Sequence, residues 1–293
     1  MLARYPGLTL VSTVAIAAAV GLGAAYFEAV DKFLHPRIDV PGGDRVVSIV
    51  NWDRKRADVE PRSLQDFAVW RTQLKTVENL GASNAFVRNL GTEDGRVEPV
   101  RGAEVTANAF RLMGTPPLLG RTLLDRDEDP GEQPVVVIGE RVWKTRFDGD
   151  RGVLGRRVKV GTASATIVGV MPDAFAFPEN QRLWLPLRIN GATLAPRTGP
   201  RVTIFGRLAP GASIDDARAE LRVIGARMSA SNPRTHEDLR PLVMHYATIV
   251  AEGGEGRFVT RLLYLVNSVF LMLLAIMCTN VATLVFARTA TRS

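Results

Sequence analysis

Two stretches of this chain run free of charge for longer than most folded interiors accommodate. From Leu8 to Phe27 the sequence reads LTLVSTVAIAAAVGLGAAYF, and from Leu262 to Ala287 it reads LLYLVNSVFLMLLAIMCTNVATLVFA. A helix rises about 1.5 Å per residue, so either stretch can cross a hydrocarbon core of about 30 Å. The expected plan is a tail at 1–7, a transmembrane helix at 8–27, a large domain at 28–260, a second transmembrane helix at 262–287 and a tail at 288–293. A cleaved signal peptide is the rival reading of the first stretch, with Arg4 as its charged start and Ala24 and Ala25 as small residues for a peptidase. The run is longer than the roughly 7–15 apolar residues of such a leader, which favours a retained anchor. A buried core helix is the rival for the second, and its uncharged length favours a span.

Orientation follows from the tails. Arg4 lies before the first stretch and Arg288 and Arg292 after the second, with no acid beside them. Positive tails stay in the cytoplasm, whereas a long domain crosses largely regardless of its charge. Residues 28–260 are then expected outside a cytoplasmic (inner) membrane crossed more than once. The net charge is +7, of which Arg4, Arg261, Arg288 and Arg292 supply four. That leaves a domain too weakly basic to point to nucleic acid. The single cysteine, Cys278, lies within the second stretch, so the domain carries no disulfide. At this size it can bury a sufficient core without one.

Within the domain, Arg45–Val50 reads as a strand. Ser63 and Asp66 have the spacing of a capping box opening a helix whose apolar residues Phe67, Trp70, Leu74 and Val77 share a face up to Gly81. Ala82–Leu90 and Arg96–Val105 read as strands about a turn, and Ala109–Gly114 as one helical turn. Arg121–Gln133 is acidic and turn-rich, expected to be a solvated loop. Val135–Ile138 reads as a buried strand and Glu140–Phe147 as a short helix. Arg156–Val160 and Thr166–Val170 form a hairpin about Gly161. Leu183–Leu187 is extended. Arg201–Leu208 is a strand, Ser213 and Asp216 a second capping box, and Ile214, Ala217, Leu221, Ile224 and Met228 one face of a helix ended by Asn232-Pro233. Leu239–Tyr246 is extended. Two strand–helix–strand units with a β-rich insert near 133–190 make an α+β domain with two lobes.

Chemistry is hard to find. His35, His236 and His245 share no ligand spacing, and His236-Glu237-Asp238 reads as a solvated turn, so the histidines are expected to be dispensable for function. There is no nucleophile elbow and no phosphate-binding P-loop. The acids at Asp125, Asp127, Glu128 and Asp129 lack the order of a calcium loop. Neither a cofactor nor a metal nor an enzymatic activity is expected. The stretch Thr166–Pro178, TIVGVMPDAFAFP, spends many special residues in one place: Gly169 and Pro172 shape a turn, and Phe175, Phe177 and, further on, Trp184 anchor it. In the second apolar stretch, Asn267 and Asn280 are polar groups of the kind that face other helices in lipid.

Several segments together resemble one family. RYPGLTLVSTVAIAAAVGLGAAYF, SLQDFAVWRTQLKTVENLGA, VRGAEVTANAFRLMGTPPLLGRTLLDRDED, VVVIGERVWKTRFDGDRGVLGRRVKV, TIVGVMPDAFAFPENQRLWLPL, FGRLAPGASIDDARAEL and LLAIMCTNVATLVFAR occur in order. The chain resembles the MacB/FtsX-type ABC transporter permeases from Arg4 to Arg292, and its domain resembles their periplasmic core domain. The resemblance implies a permease subunit worked by a separate cytoplasmic ABC ATPase, paired with a second permease unit and embedded in membrane lipid. In it, the external domain transmits conformational change for export or extraction of a substrate, and Thr166–Pro178 is a structural corner. Family members have at least four spans and a helix before the first, so the resemblance also implies that this chain is either a fragment of a longer permease or a truncated gene product. The alternative is a two-span extracytoplasmic sensor or scaffold without transport activity.

Overall fold

The computed structural model describes residues 42–92, 95–175, 177–178 and 180–248, together with Leu262, 264–269, Met272 and Thr279 of the second apolar stretch. The expected first span lies outside the described residues, as does most of the second. No helix among the described residues is long and apolar enough to cross a membrane. The chain divides into two compact units, Ile38–Tyr246 and a second formed by Met1–Arg37 with Ala247–Ser293. All the strands among the described residues belong to the first.

In chain order the elements are β1 (Val46–Asp53), β2 (Asp58–Glu60), α1 (Leu64–Gln73), β3 (Val77–Gly91), β4 (Val97–Val105), α2 (Asn108–Met113), β5 (Leu119–Gly120) and β6 (Val135–Gly139). There follow α3 (Glu140–Arg146), β7 (Arg157–Val160), β8 (Ala163–Met171), β9 (Leu183–Pro186), β10 (Thr203–Leu208), α4 (Ile214–Ser231), α5 (Pro233–His236) and β11 (Leu239–His245). One end of the sheet runs β11-β1-β10-β3, every neighbour antiparallel. With α1 joining β1 to β3 and α4 joining β10 to β11, this is the split βαβ arrangement of a ferredoxin-like half. Everything from β4 to β9 is inserted between its second and third strands.

The insert closes on itself. Pairing continues β3-β4-β9-β6-β8, then β8 pairs with β7. Strand β7 returns to β3, with Leu90 opposite Val160 and Gly91 opposite Lys159. Six strands thus form a closed circuit around Leu90, Val136, Ile138, Val158, Ile167 and Leu183, a small packed barrel. Closure removes the open strand edges that a free insert would expose.

Strand alternation explains how the two halves meet. In the ferredoxin-like half, Val47, Ile49 and Ile204 point toward Phe67 and Trp70 of α1 and Leu221 and Ile224 of α4. Their sequence neighbours Val46 and Phe205 belong to another cluster, on the opposite face. In the barrel, Val136 and Ile138 face inward while Val135 and Val137 join that same other cluster. The shared cluster holds Phe110, Phe175, Phe177, Trp184 and Tyr246 as well. Both faces of these strands are therefore buried, which accounts for the continuous apolar run of β6.

Three readings of the sequence are corrected. The first helix stops at Gln73 instead of continuing to Gly81, and Val77 opens β3. The carboxylate of Glu220, on α4, accepts from the amides of Lys75 and Thr76 (2.9–3.1 Å) and from the Thr76 hydroxyl (2.6 Å), holding this segment extended. The first capping box does not form. The Ser63 hydroxyl donates to the Glu60 carbonyl (2.9 Å), and Asp66 turns inward to accept from Asn51 Nδ2 (2.6 Å). Asp66 also faces His236 Nε2 (2.8 Å), so His236 is a buried partner and not part of a solvated turn. The Arg121–Gln133 loop is largely exposed, as its composition suggests, and is stapled from below: Asp127 is buried against Arg121, and Arg188 donates to the carbonyls of Asp127, Glu132 and Gln133.

Candidate functional site: an aromatic junction

The segment after β8 builds the junction between the halves. Gly169 lies where β5 crosses β8, opposite Gly120. A Cβ there would stand 1.9 Å from the Arg121 carbonyl oxygen, so only glycine fits this crossing. Arg121 in turn donates its amide to the Val168 carbonyl (2.9 Å). Pro172 follows the strand and opens a tight turn, its carbonyl accepting from the Phe175 amide (2.9 Å).

That turn delivers two phenylalanines to opposite sides of the cluster. Phe175 stacks on Phe110 of α2 (4.9 Å, 9° between planes) and meets the edge of Trp184 on β9 (5.1 Å). Phe177 packs edge-on against Phe205 of β10 (4.8 Å) and tilted against Tyr246 (5.2 Å). Polar tips close the arrangement. Trp184 Nε1 donates to the Phe177 carbonyl (2.7 Å), and the Tyr246 hydroxyl donates to the Pro178 carbonyl (2.8 Å). Such pairs contribute about 0.5–1.5 kcal/mol each beyond their buried area, and the two buried hydrogen bonds fix the ring orientations. Tyr246, immediately after β11, is thereby fastened both to the turn and to β10.

A second set of contacts fastens the loop before β10. Asp53 and Glu60, both nearly fully buried, receive Arg197, and Arg56 pairs with both as well. Burial alone pushes the Asp53 carboxyl up. The Arg56 and Lys55 amides and the Arg197 guanidinium outweigh it and hold Asp53 below the usual carboxylate range. Asp127 behaves alike: burial raises it, and Arg121 together with the Leu124 amide brings it lower.

Of the residues singled out in the sequence, Gly169, Pro172, Phe175, Phe177 and Trp184 come together here. Asn267 is exposed on the helical segment 264–269, and Asn280 lies outside the described residues. Among the described residues no group of three His, Cys, Asp or Glu side chains could hold a metal ion. Sequence reasoning missed Phe110, Phe205 and Tyr246. For the last two the signal lay in the strands: Phe205 alternates with Ile204, and Tyr246 closes the extended run of β11.

The fold and the junction define an α+β domain in which a ferredoxin-like half and an inserted barrel share one aromatic core. A family model, the MacB-like periplasmic core domain, matches residues 8–224, and the chain belongs to that family. The family is a transporter permease domain and not that of a typical enzyme.

Three solved structures are similar in fold. A domain described as part of a permease from Porphyromonas gingivalis aligns at TM-score 0.56 and 18% identity, covering 70% of this chain and 92% of that one. The periplasmic region of MacB from Actinobacillus actinomycetemcomitans aligns at 0.54 and 18%, covering 76% and 99%. The extracellular domain of the noncanonic ABC-type transporter YknZ from Gram-positive bacteria aligns at 0.50 and 15%, covering 68% and 99%. No curated protein matches the chain.

Proposed function

We propose that this chain is the permease subunit, or the N-terminal part of one, of a MacB/FtsX-type ABC transporter. Residues 28–260 stand in the periplasm between spans at 8–27 and 262–287, both tails lying in the cytoplasm. A separate cytoplasmic ABC ATPase moves the spans, a second permease unit pairs with this one in the lipid, and Asn267 and Asn280 pack against neighbouring helices. The domain passes that motion to a substrate that is exported or extracted.

The observation that carries this reading is the fastening of Tyr246 to Pro178 and Phe177. Strand β11 leads on toward the second apolar stretch, and it pairs with β1 along its length, from Val47 opposite His245 to Asp53 opposite Leu239. A pull on β11 therefore reaches the central strand of the ferredoxin-like half through the ladder. Through Tyr246 it reaches the turn, and through Phe175 and Trp184 it reaches the barrel. Gly169 and Pro172 set where that turn begins. In this role the five residues are a mechanical corner, with no bond made or broken there.

Placement and partnership are tested together. Val87, 66% exposed on β3, is replaced by cysteine, the only other thiol being Cys278. Intact cells are treated with a small membrane-impermeant maleimide. Labelling without disruption of the inner membrane is the expected result, together with an ABC ATPase cross-linked to the chain in those membranes. Labelling only after disruption would overturn the periplasmic placement, and absence of a cross-linked ATPase would overturn the transporter reading.

A further inference from the structure

Four arginines converge on one cleft of the barrel, of about 330 Å³. Arg101 comes from β4, Arg141 and Arg146 from α3, and Arg182 from the residue before β9, with Thr145 and Asn180 between them. Two of the four are positioned by acids at the margin, Arg146 by Glu98 and Arg182 by Asp173 (2.9 Å). The nearby carboxylate of Glu140 is taken up by Lys144 (2.6 Å). Arg101 and Arg141 have no acidic partner among the described residues, and both are exposed to the cleft's solvent.

Among the described residues the cleft therefore holds more positive charge than its acids neutralise, presented from three separate elements. An arginine has five N–H donors in a planar fork, so pairing with one carboxylate leaves donors free for a second anion. Guanidinium groups arriving from several directions suit a group with oxygens on every side, which is a phosphate and not a planar carboxylate.

The larger groove between α4 and β11, of about 700 Å³, draws its arginines from two elements only and has two of the three already hydrogen-bonded. There Arg218 is engaged by Asp215 and the Val243 carbonyl, and Arg240 by the carbonyls of Glu237 and Leu239. Only Arg222 is left over.

We propose that the cleft of Arg101, Arg141, Arg146 and Arg182 binds a compact phosphate-bearing anion, either a free polyphosphate or the headgroup of an anionic phospholipid. Arg146 and Arg182 are held ready by their acids, while Arg101 and Arg141 close on the ligand. Occupation cross-links β4, α3 and the segment that follows the aromatic turn, stiffening the barrel.

The test uses the full chain purified in an uncharged detergent and titrated by calorimetry with inorganic pyrophosphate and, separately, with glycerophosphoglycerol, the soluble headgroup of an anionic phospholipid. Binding of at least one probe is expected, weakening as salt is raised. Arg101→Gln and Arg141→Gln should each weaken it roughly tenfold, and together roughly a hundredfold, at an unchanged melting temperature, since neither side chain has an acidic partner to lose. Arg222→Gln should leave it unaltered. Response to pyrophosphate alone assigns the site to free polyphosphate, and response to glycerophosphoglycerol assigns it to a lipid headgroup. Binding of neither probe, or binding that the double variant retains or that Arg222→Gln weakens equally, overturns the proposal.

Discussion

Replacing Gly169 by alanine tests the geometry of the junction at its tightest point. The added Cβ would lie 1.9 Å from the carbonyl oxygen of Arg121, against about 3.4 Å for ordinary contact. The obstacle is backbone, so no side chain can rotate aside, and β5 must retreat from β8 by about 1.5 Å. That movement breaks the Arg121 amide bond to the Val168 carbonyl and disturbs the pairing of Gly120 with Gly169. Losing these ladder contacts costs about 1 kcal/mol each, and overpacking adds about 1–3 kcal/mol. The smaller entropy of the unfolded alanine chain returns only about 0.4–1 kcal/mol. The net loss is about 2–4 kcal/mol, which in a domain of this size lowers the melting temperature by roughly 5–15 °C. Thermal unfolding followed by near-ultraviolet circular dichroism reads the change directly, because Trp184 sits in the same cluster. Gly131→Ala is the control, since its nearest neighbour is the Asp129 side chain at 3.4 Å. A Gly169→Ala protein that melts within a degree of the parent would refute the reasoning.

Two further outcomes follow from the same contacts. Tyr246→Phe removes one hydrogen bond to Pro178 and should cost about 1 kcal/mol in denaturant unfolding, while Tyr246→Ala also loses the rings' packing and should cost about 3–5 kcal/mol; equal effects of the two would mean that the ring does not pack. Asp53 has its folded pKa below the ordinary value of 3.8, so its contribution is fully present above that value and is lost as the pH falls through the folded one. Arg197→Gln removes part of what lowers it, and the acid-unfolding midpoint should move to higher pH; an unmoved midpoint in titrations followed by tryptophan fluorescence would exclude that cause.

The second strand–helix–strand unit was legible because its signals are local. Ser213 and Asp216 cap each other within four residues, and the buried positions of α4 repeat at helical spacing. In the first unit the same pattern misleads. Leu74 and Val77 continue the helical spacing, yet the helix ends at Gln73 because an acceptor almost 150 positions away, Glu220, holds the next amides. Ser63 and Asp66 have the right spacing for a cap, but Asn51 and His236 offer Asp66 buried donors, and the interior wins the carboxylate. A local motif competes with tertiary partners that no spacing reveals. Barrel closure is the extreme instance, since the pairing of Leu90 with Val160 has no short-range mark at all.

The junction falls between these cases, and that explains its composition. The turn at Pro172 and the phenylalanines after it are visible as a cluster of special residues, but Phe110, Phe205 and Tyr246 lie far off in sequence. A cluster drawn from α2, the turn, β9, β10 and the end of β11 must hold together elements that share few backbone ladders. Large rings suit this because each touches several neighbours at once, and their edge-to-face preferences limit sliding. The Trp184 and Tyr246 polar tips then tie ring positions to the backbone of the turn itself. A core of aliphatic side chains could bury the same area, but it would lack these preferred ring geometries and the polar ties to the turn. If a pull on β11 is to reach the barrel undiminished, the contact between the halves has to resist shear, and interlocked rings anchored to the turn by two hydrogen bonds supply that resistance.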